Sequence, residues 1–164
     1  MKNANVSLNL PQRYKKGLMS TFGVIVAPFY KCDEVAREGA PVVIDGTKAD
    51  TVKVAVAGQC TAGVFGLIAQ NVYDPAVLGV LSGYQFHNNT AARIGEVVGV
   101  MTGAGWVTTN NYSGVVAIND SLYPGPSGYL VASQTASDKA VGVAETAGNN
   151  ADTYIRVRVN FAIA

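Results

Sequence analysis

A repeated pattern begins with EGAPVVI at residues 38–44 and closes with GLIAQ at residues 66–70. Its second copy begins with NDSLYP at residues 119–124 and closes with GVAET at residues 142–146. In each copy a polar turn leads into an apolar stretch, a variable loop follows, and a strand that starts with Gly-Leu or Gly-Val ends the unit. This rhythm predicts an all-β body built from two related units.

The stretches around the two copies also have the period-2 pattern of strands. The clearest is YIRVRVNFAI at residues 154–163, where apolar and polar side chains alternate. Gly103-Ala104-Gly105 is predicted to be the turn of a hairpin with strands at residues 93–102 and 106–109. Residues 32–37 are predicted to be a polar connection or one helical turn, and residues 148–150 a turn. Roughly ten short strands at this spacing favour a sandwich or a barrel.

The composition favours a protein with much covered surface. Charged residues make up only 14% of the 164 residues, whereas apolar residues make up 49%; soluble domains average about 25% charged residues. The net charge is +1, which gives no overall indication of a nucleic-acid or membrane partner. Residues 1–37 nevertheless hold six basic and two acidic residues, a net charge of +4, so the chain has a basic leader and an acidic remainder.

The leader is predicted to be an extended N-terminal arm over residues 1–20, followed by a single β-rich body over residues 21–164. It has an alternating apolar segment, then Pro11 and a basic linker, and no core of its own, so we expect it to become ordered against a partner. The first apolar run, residues 22–29, is too late for a signal peptide and far short of the ~20 residues of a membrane helix. The candidate contact residues of the arm are Val6, Leu8, Leu10, Arg13, Tyr14, Lys15 and Lys16.

The sequence offers no constellation typical of catalysis or cofactor binding. The single histidine, His87, lies in an Asn-rich stretch without a nucleophile elbow. Cys32 and Cys60 lack the short spacing of zinc ligands and are predicted to be buried free thiols. Arg156 and Arg158 share the polar face of the last strand, which favours a solvated or interface face over nucleic-acid binding. We therefore expect no enzyme activity, no cofactor and no metal.

Five stretches carry a resemblance to a known family: VAREGAPV (35–42), VFGLIA (64–69), IGEVVGV (94–100), NDSLY (119–123) and AVGVA (140–144). Together they resemble the head decoration proteins of tailed bacteriophages, also called capsid cement proteins, over about residues 35–147. The resemblance implies a compact β-barrel or β-tulip body without catalytic residues. It also implies a virion protein, assembled in the bacterial host cytoplasm, on the outer surface of the expanded head.

The partners that the resemblance implies are the major capsid protein and further copies of the chain, as a homotrimer at local threefold axes. Some members of the family reach the shell or a neighbour with an N-terminal extension, a use that would suit residues 1–20. Bound in this way, the protein would hold neighbouring capsomers together against the internal pressure of the DNA.

Three other functions stay open at the level of sequence. A head or tail fibre adaptor would need a coiled or repetitive extension, which the sequence does not show. A small hydrolase would depend on His87. A carbohydrate-binding module on the virion surface would need Trp106 and tyrosines exposed together on one rim.

Overall fold

The computed structural model describes residues 18–22, 25–71, 91–92, 94–95, 97–149 and 153–161. Within these ranges the regular secondary structure is all β except for one 3-10 helix at Pro126–Gly128. The strands are β1 (Leu18–Phe22), β2 (Ile25–Cys32), β3 (Ala36–Arg37), β4 (Pro41–Ile44), β5 (Thr51–Val54), β6 (Gly66–Asn71), β7 (Ala91–Ala92), β8 (Val97–Thr109), β9 (Val115–Val116), β10 (Ser121–Pro124), β11 (Leu130–Val131), β12 (Gly142–Ala144), β13 (Gly148–Asn149) and β14 (Ile155–Phe161).

The first unit is a closed barrel. Its strand order is β8-β2-β5-β4-β6, and β6 pairs back with β8. β2 and β5 run parallel, and the other neighbours in the ring run antiparallel. Only the first part of β8, up to Thr102, takes part in this ring. Closure removes free strand edges, which otherwise invite pairing with other chains.

The second unit repeats this arrangement with the second part of the same strand. β8 pairs with β14 from Gly103 to Thr109, and the order continues through β12 and β10 to β11. A parallel bridge between Tyr112 and Leu130 then connects β11 to the segment that follows β8, so the second ring also closes. β8, at 13 residues, is therefore the last strand of the first unit and the first strand of the second.

Backbone hydrogen bonds show that the two units are equivalent. In each, the polar turn and the closing strand exchange a reciprocal pair of bonds. These are Gly39 N to Ile68 O (2.7 Å) with Ile68 N to Ala40 O (2.9 Å), and Asn119 N to Ala144 O (2.8 Å) with Ala144 N to Asp120 O (2.9 Å). Gly39 and Asn119 both have positive φ, at 82° and 72°. The predicted duplication is confirmed, because the polar turn that opens each copy has the same hydrogen-bond pairing and the same sign of φ in both units.

Each unit has its own buried cluster, and equivalent positions fill both. The first cluster includes Val42, Val52, Ile68, Val98 and Val100, and the second includes Leu122, Leu130, Ala144, Ile155 and Val157. Alternation along the strands sends their neighbours to the other face. Leu67 and Met101 belong to the second cluster, although they lie on first-unit strands. The outer face of the first barrel is therefore buried against the second unit.

A buried carboxylate also joins the two units. Asp138 is 1% exposed and accepts hydrogen bonds from the backbone N–H groups of Gly58 (2.6 Å) and Cys60 (2.7 Å). Lys139 N donates to Cys60 O at 3.1 Å in the same place. Charge-assisted bonds of this kind are stronger than neutral ones. They hold the loop after β11 against the turn after β5.

The structure confirms several sequence predictions. The last strand has the expected alternation: Ile155, Val157, Val159 and Phe161 are buried, and the residues between them are exposed. Cys32 and Cys60 are buried free thiols, and burial, with a smaller effect from Asp138, raises the pKa of the Cys60 thiol.

The predicted hairpin at residues 93–109 is wrong, because β8 runs through Gly103-Ala104-Gly105 without turning. Gly103 has a φ of 84°, and there the pairing of β8 passes from the first ring to the second. Glycine tolerates this conformation without steric cost, so it bends the strand rather than ending it.

Two shorter predictions are also corrected. No helical turn forms within residues 32–37, which make two bends and the short strand β3. Gly148 and Asn149 form β13, paired with β9, where a turn was predicted. Of the predicted arm, residues 1–17 lie outside the described residues, and Leu18 to Ser20 belong to β1.

The close approach of strands at two equivalent glycines gives a stability prediction. A Cβ at Gly66 would collide with Met101 O and Val100 Cγ1, and a Cβ at Gly142 would collide with Arg158 O and Val157 Cγ1. We expect Gly66→Ala and Gly142→Ala each to lower the free energy of unfolding by about 1–3 kcal/mol, as overpacking does.

Urea unfolding monitored by circular dichroism measures both variants. Gly46→Ala is the matched control, since a Cβ there meets nothing within 4 Å. A loss in either test variant no larger than that of the control would contradict the described strand packing.

Candidate interaction surfaces

Two exposed valines occupy equivalent positions in the two units. Val35 is 66% exposed and Val115 is 69% exposed. Each is followed by a residue buried in its own unit's cluster, Ala36 or Val116. Single exposed apolar residues are ordinary on protein surfaces. The repetition at the same place in both units is the informative feature.

An exposed isoleucine follows each valine within a few residues, either along the strand ladder or along the chain. Ile94, 69% exposed, comes two residues after β7, and β7 pairs with β3, which begins directly after Val35; Gly95 N donates to Cys32 O at 2.7 Å. Ile118, 59% exposed, follows β9 in a turn held by a bond from Ala117 N to Asp120 Oδ2 (2.8 Å). We call these two pairs, Val35 with Ile94 and Val115 with Ile118, the aliphatic tips.

A second surface is a groove on the outer face of the second barrel. It crosses β8, β14 and β12 and has a volume of about 510 Å³. Its lining combines small residues with the larger side chains of Trp106, Arg158 and Asn160. Its principal lining residues are Ala104, Trp106, Ala140, Val143, Arg158 and Asn160.

The side chains of Glu145 and Arg156 fix the orientation of Trp106 beside this groove. Trp106 Nε1 donates to Glu145 Oε1 at 2.9 Å, and Arg156 Nε donates to Glu145 Oε2 at 2.9 Å. The Arg156–Glu145 pair is partly exposed, so it adds little to stability. The pair instead holds Glu145 in place, and Glu145 accepts the hydrogen bond of the indole N–H. The indole ring of Trp106 is thereby oriented while it stays 39% exposed.

Arg158 is the charged residue that lines the groove, and none of the described carboxylates forms an ion pair with it. It lies opposite Trp106 on β8 and Val143 on β12 in the strand register. Among the described residues its side chain makes no ion pair, whereas Arg156 two positions earlier is paired with Glu145. The groove therefore carries a positive charge next to an aromatic ring, and no carboxylate of the described residues forms an ion pair with it.

The structure does not place the contact residues predicted for the arm. Val6, Leu8, Leu10, Arg13, Tyr14, Lys15 and Lys16 all lie outside the described residues, as does His87. The groove was not predicted as a site, although Arg156 and Arg158 were assigned from the sequence to the polar face of the last strand and Trp106 was named as a requirement for carbohydrate binding. The predicted hairpin paired the segment of Trp106 with residues 93–102, so Trp106 was not expected opposite Arg158, where the structure has it.

The described residues contain neither a metal-ligand cluster nor a helix that could span a membrane. In the part of the chain that the structure describes, no three or more His, Cys, Asp or Glu residues cluster so that they could hold a metal ion. Within those same ranges, no helix has the length and apolar character needed to cross a membrane.

Comparisons with known proteins add a structural likeness. No family model matches the chain, and no curated protein matches it. Among solved structures, the chain is similar to the head fibre gp8.5 N base of bacteriophage phi29, with a TM-score of 0.47 and 11% sequence identity. The match covers 84% of this chain and 97% of that chain.

Proposed function

We propose that this chain is a structural protein of a tailed-phage head, which binds the outer surface of the expanded capsid and holds neighbouring capsomers together. The observation that carries the proposal is the pair of equivalent exposed valines, Val35 and Val115. A body with two like contact points suits a shell that repeats the same subunit. The sequence resemblance to capsid cement proteins supports the same function.

The mechanism is binding through several weak contacts. Burying one exposed valine fully contributes about 1.5–3 kcal/mol, which is too little for stable attachment alone. Two aliphatic tips on one rigid body act together, because the first contact raises the effective concentration of the second. A homotrimer at a local threefold axis multiplies these contacts again. Their sum fastens adjacent capsomers without any chemical step.

The N-terminal arm provides a further contact in this proposal. Val6, Leu8 and Leu10 alternate with polar residues, so the segment can add as a strand to a neighbouring sheet edge. The basic residues Arg13, Lys15 and Lys16 then pair with acidic side chains of the capsid protein, and Tyr14 anchors the linker. Main-chain hydrogen bonds give the arm affinity with little demand on the partner's sequence.

Selective binding to the mature head stabilises that head by mass action. Expansion brings the capsid subunits into the arrangement that the tips and the arm recognise. A protein that binds the expanded lattice and not its precursor stabilises the expanded state in proportion to its free concentration and affinity. The protein acts in this way as a non-enzymatic clamp against DNA pressure.

The direct test is co-sedimentation of the purified full-length protein with expanded, decoration-free heads of its virus, and with unexpanded shells as the control. Saturable binding to expanded heads only, in multiples of three, is the expected result. Binding to neither shell contradicts the proposal, and binding limited to one vertex identifies a fibre adaptor instead.

Deleting residues 1–16 tests the arm. We expect a folded body that binds expanded heads about tenfold more weakly or worse, because one set of tethered contacts is lost. Val6→Asp combined with Leu8→Asp should weaken binding without lowering the melting temperature. Ser7→Asp combined with Asn9→Asp adds the same charge on the opposite face and is the matched control. Unchanged head binding by the deletion variant would exclude this role for the arm.

Charge substitution at the repeated valines tests the two-contact mechanism. Val35→Asp and Val115→Asp should each weaken head binding, and the double variant should lose far more than either single variant because the contacts are tethered. Ile44→Asp is the control, since Ile44 is 50% exposed on β4 and outside the aliphatic tips. Equal binding by the double variant and Ile44→Asp would refute this mechanism.

A further inference from the structure

The duplication leaves one surface covered in the first unit and open in the second. Leu67 pairs with Met101 on the outer face of the first barrel, and both are fully buried against the second unit. The equivalent pair on the second barrel is Val143 with Arg158, which lines the open groove. A polar outer surface is what the end of a stacked array requires for solubility. Solubility alone does not require an aromatic ring held in a fixed orientation beside an arginine that makes no ion pair with any described residue.

We propose that this groove binds an acidic pyranose, a carboxylate-bearing sugar residue within an oligosaccharide. The proposal is independent of capsid binding, because it uses a different surface from the aliphatic tips and the arm. It assigns the outer face of the second barrel a recognition function of its own.

Trp106 supplies the flat apolar contact that a sugar ring needs. The C–H bonds of one pyranose face stack on an indole, and a large rigid aromatic side chain provides such area at low entropic cost. The bond from Trp106 Nε1 to Glu145 already satisfies the polar edge of the ring and limits its rotation. The stacking surface is therefore organised before the ligand arrives.

Arg158 determines the acidic class of the ligand. Its guanidinium can bind a carboxylate through two parallel hydrogen bonds, the arrangement that arginine forms best. Glu145 does not compete for this role, since its two oxygens bind Trp106 and Arg156. Asn160 lines the same groove and offers an amide that can both donate to and accept from sugar hydroxyl groups.

The shape of the groove favours a sugar over a protein segment. Its volume of about 510 Å³ lies within the range of small-ligand sites, about 300–1,000 Å³. Four of its lining residues are small, Ala104, Gly105, Ala140 and Gly142, which leaves space for a ring beside the larger side chains. Trp106 is the one large exposed hydrophobic residue among the described lining, whereas protein interfaces gain most of their affinity from several apolar and aromatic anchors.

Intrinsic fluorescence of the full-length protein is a direct probe, because Trp106 is the only tryptophan of the chain. The titrant is trigalacturonic acid, with maltotriose as the neutral sugar and citrate as a carboxylate without a pyranose ring. We expect a saturable change with trigalacturonic acid, about tenfold weaker binding or worse for maltotriose, and no saturable change with citrate.

Variants separate the site from a general charge effect. Arg158→Gln should weaken trigalacturonic acid binding by about tenfold or more, whereas Lys31→Gln, which removes a positive charge from β2, should leave it unchanged. Thermal melting verifies that both variants are folded, and neither should lose binding to expanded heads. No saturable response to trigalacturonic acid, an unchanged affinity in Arg158→Gln, or equal binding of maltotriose would each overturn the proposal.

Discussion

The shared strand β8 is the constraint on which the rest of the structure depends. Its first part completes one barrel and its second part begins the next, so the two units cannot separate without breaking both rings. The exchange of partners takes place at Gly103, where a positive φ bends the strand. Consecutive residues such as Val100 and Met101 are both fully buried, in different clusters, because β8 packs on both faces where it lies between the units. A single strand thereby makes one rigid body from two small barrels.

Duplication around this strand explains which surfaces are alike and which differ. Positions at the ends of the units keep the same surroundings, so Val35 and Val115 are both exposed. Positions on the barrel walls diverge, because the first unit's outer wall is buried by the second and the second unit's wall is not. Met101 and Arg158 occupy equivalent positions in a core and in a solvent groove. Repeated contact points and one unrepeated groove follow from the same arrangement.

Local patterns predicted what depends on local geometry. The burial of Ile155, Val157 and Val159 follows from alternation along a strand with one solvated face, and the duplication is visible because its turns and closing glycines are short-range features. The pairing of strands that are far apart in the chain could not be predicted from these local patterns. Three successive small residues, Gly103 to Gly105, indicate a turn when the segments on either side pair with each other. Here the segment before Gly103 pairs with β2 and the segment after it pairs with β14, so the strand continues. The contact of Trp106 with Glu145 spans 39 positions, and no sequence period connects them. The candidate contact residues of the arm remain predictions.

Image reconstruction of expanded heads saturated with the full-length protein tests the central claim most directly, since it shows where the shared-strand body binds. The account predicts density for the two-barrel body on the outer surface, with three copies around each local threefold axis and the aliphatic tips facing the capsid. It also predicts that the groove containing Trp106 and Arg158 faces the solvent. A lattice without such density, or density confined to a single vertex, would contradict a capsid-cementing function.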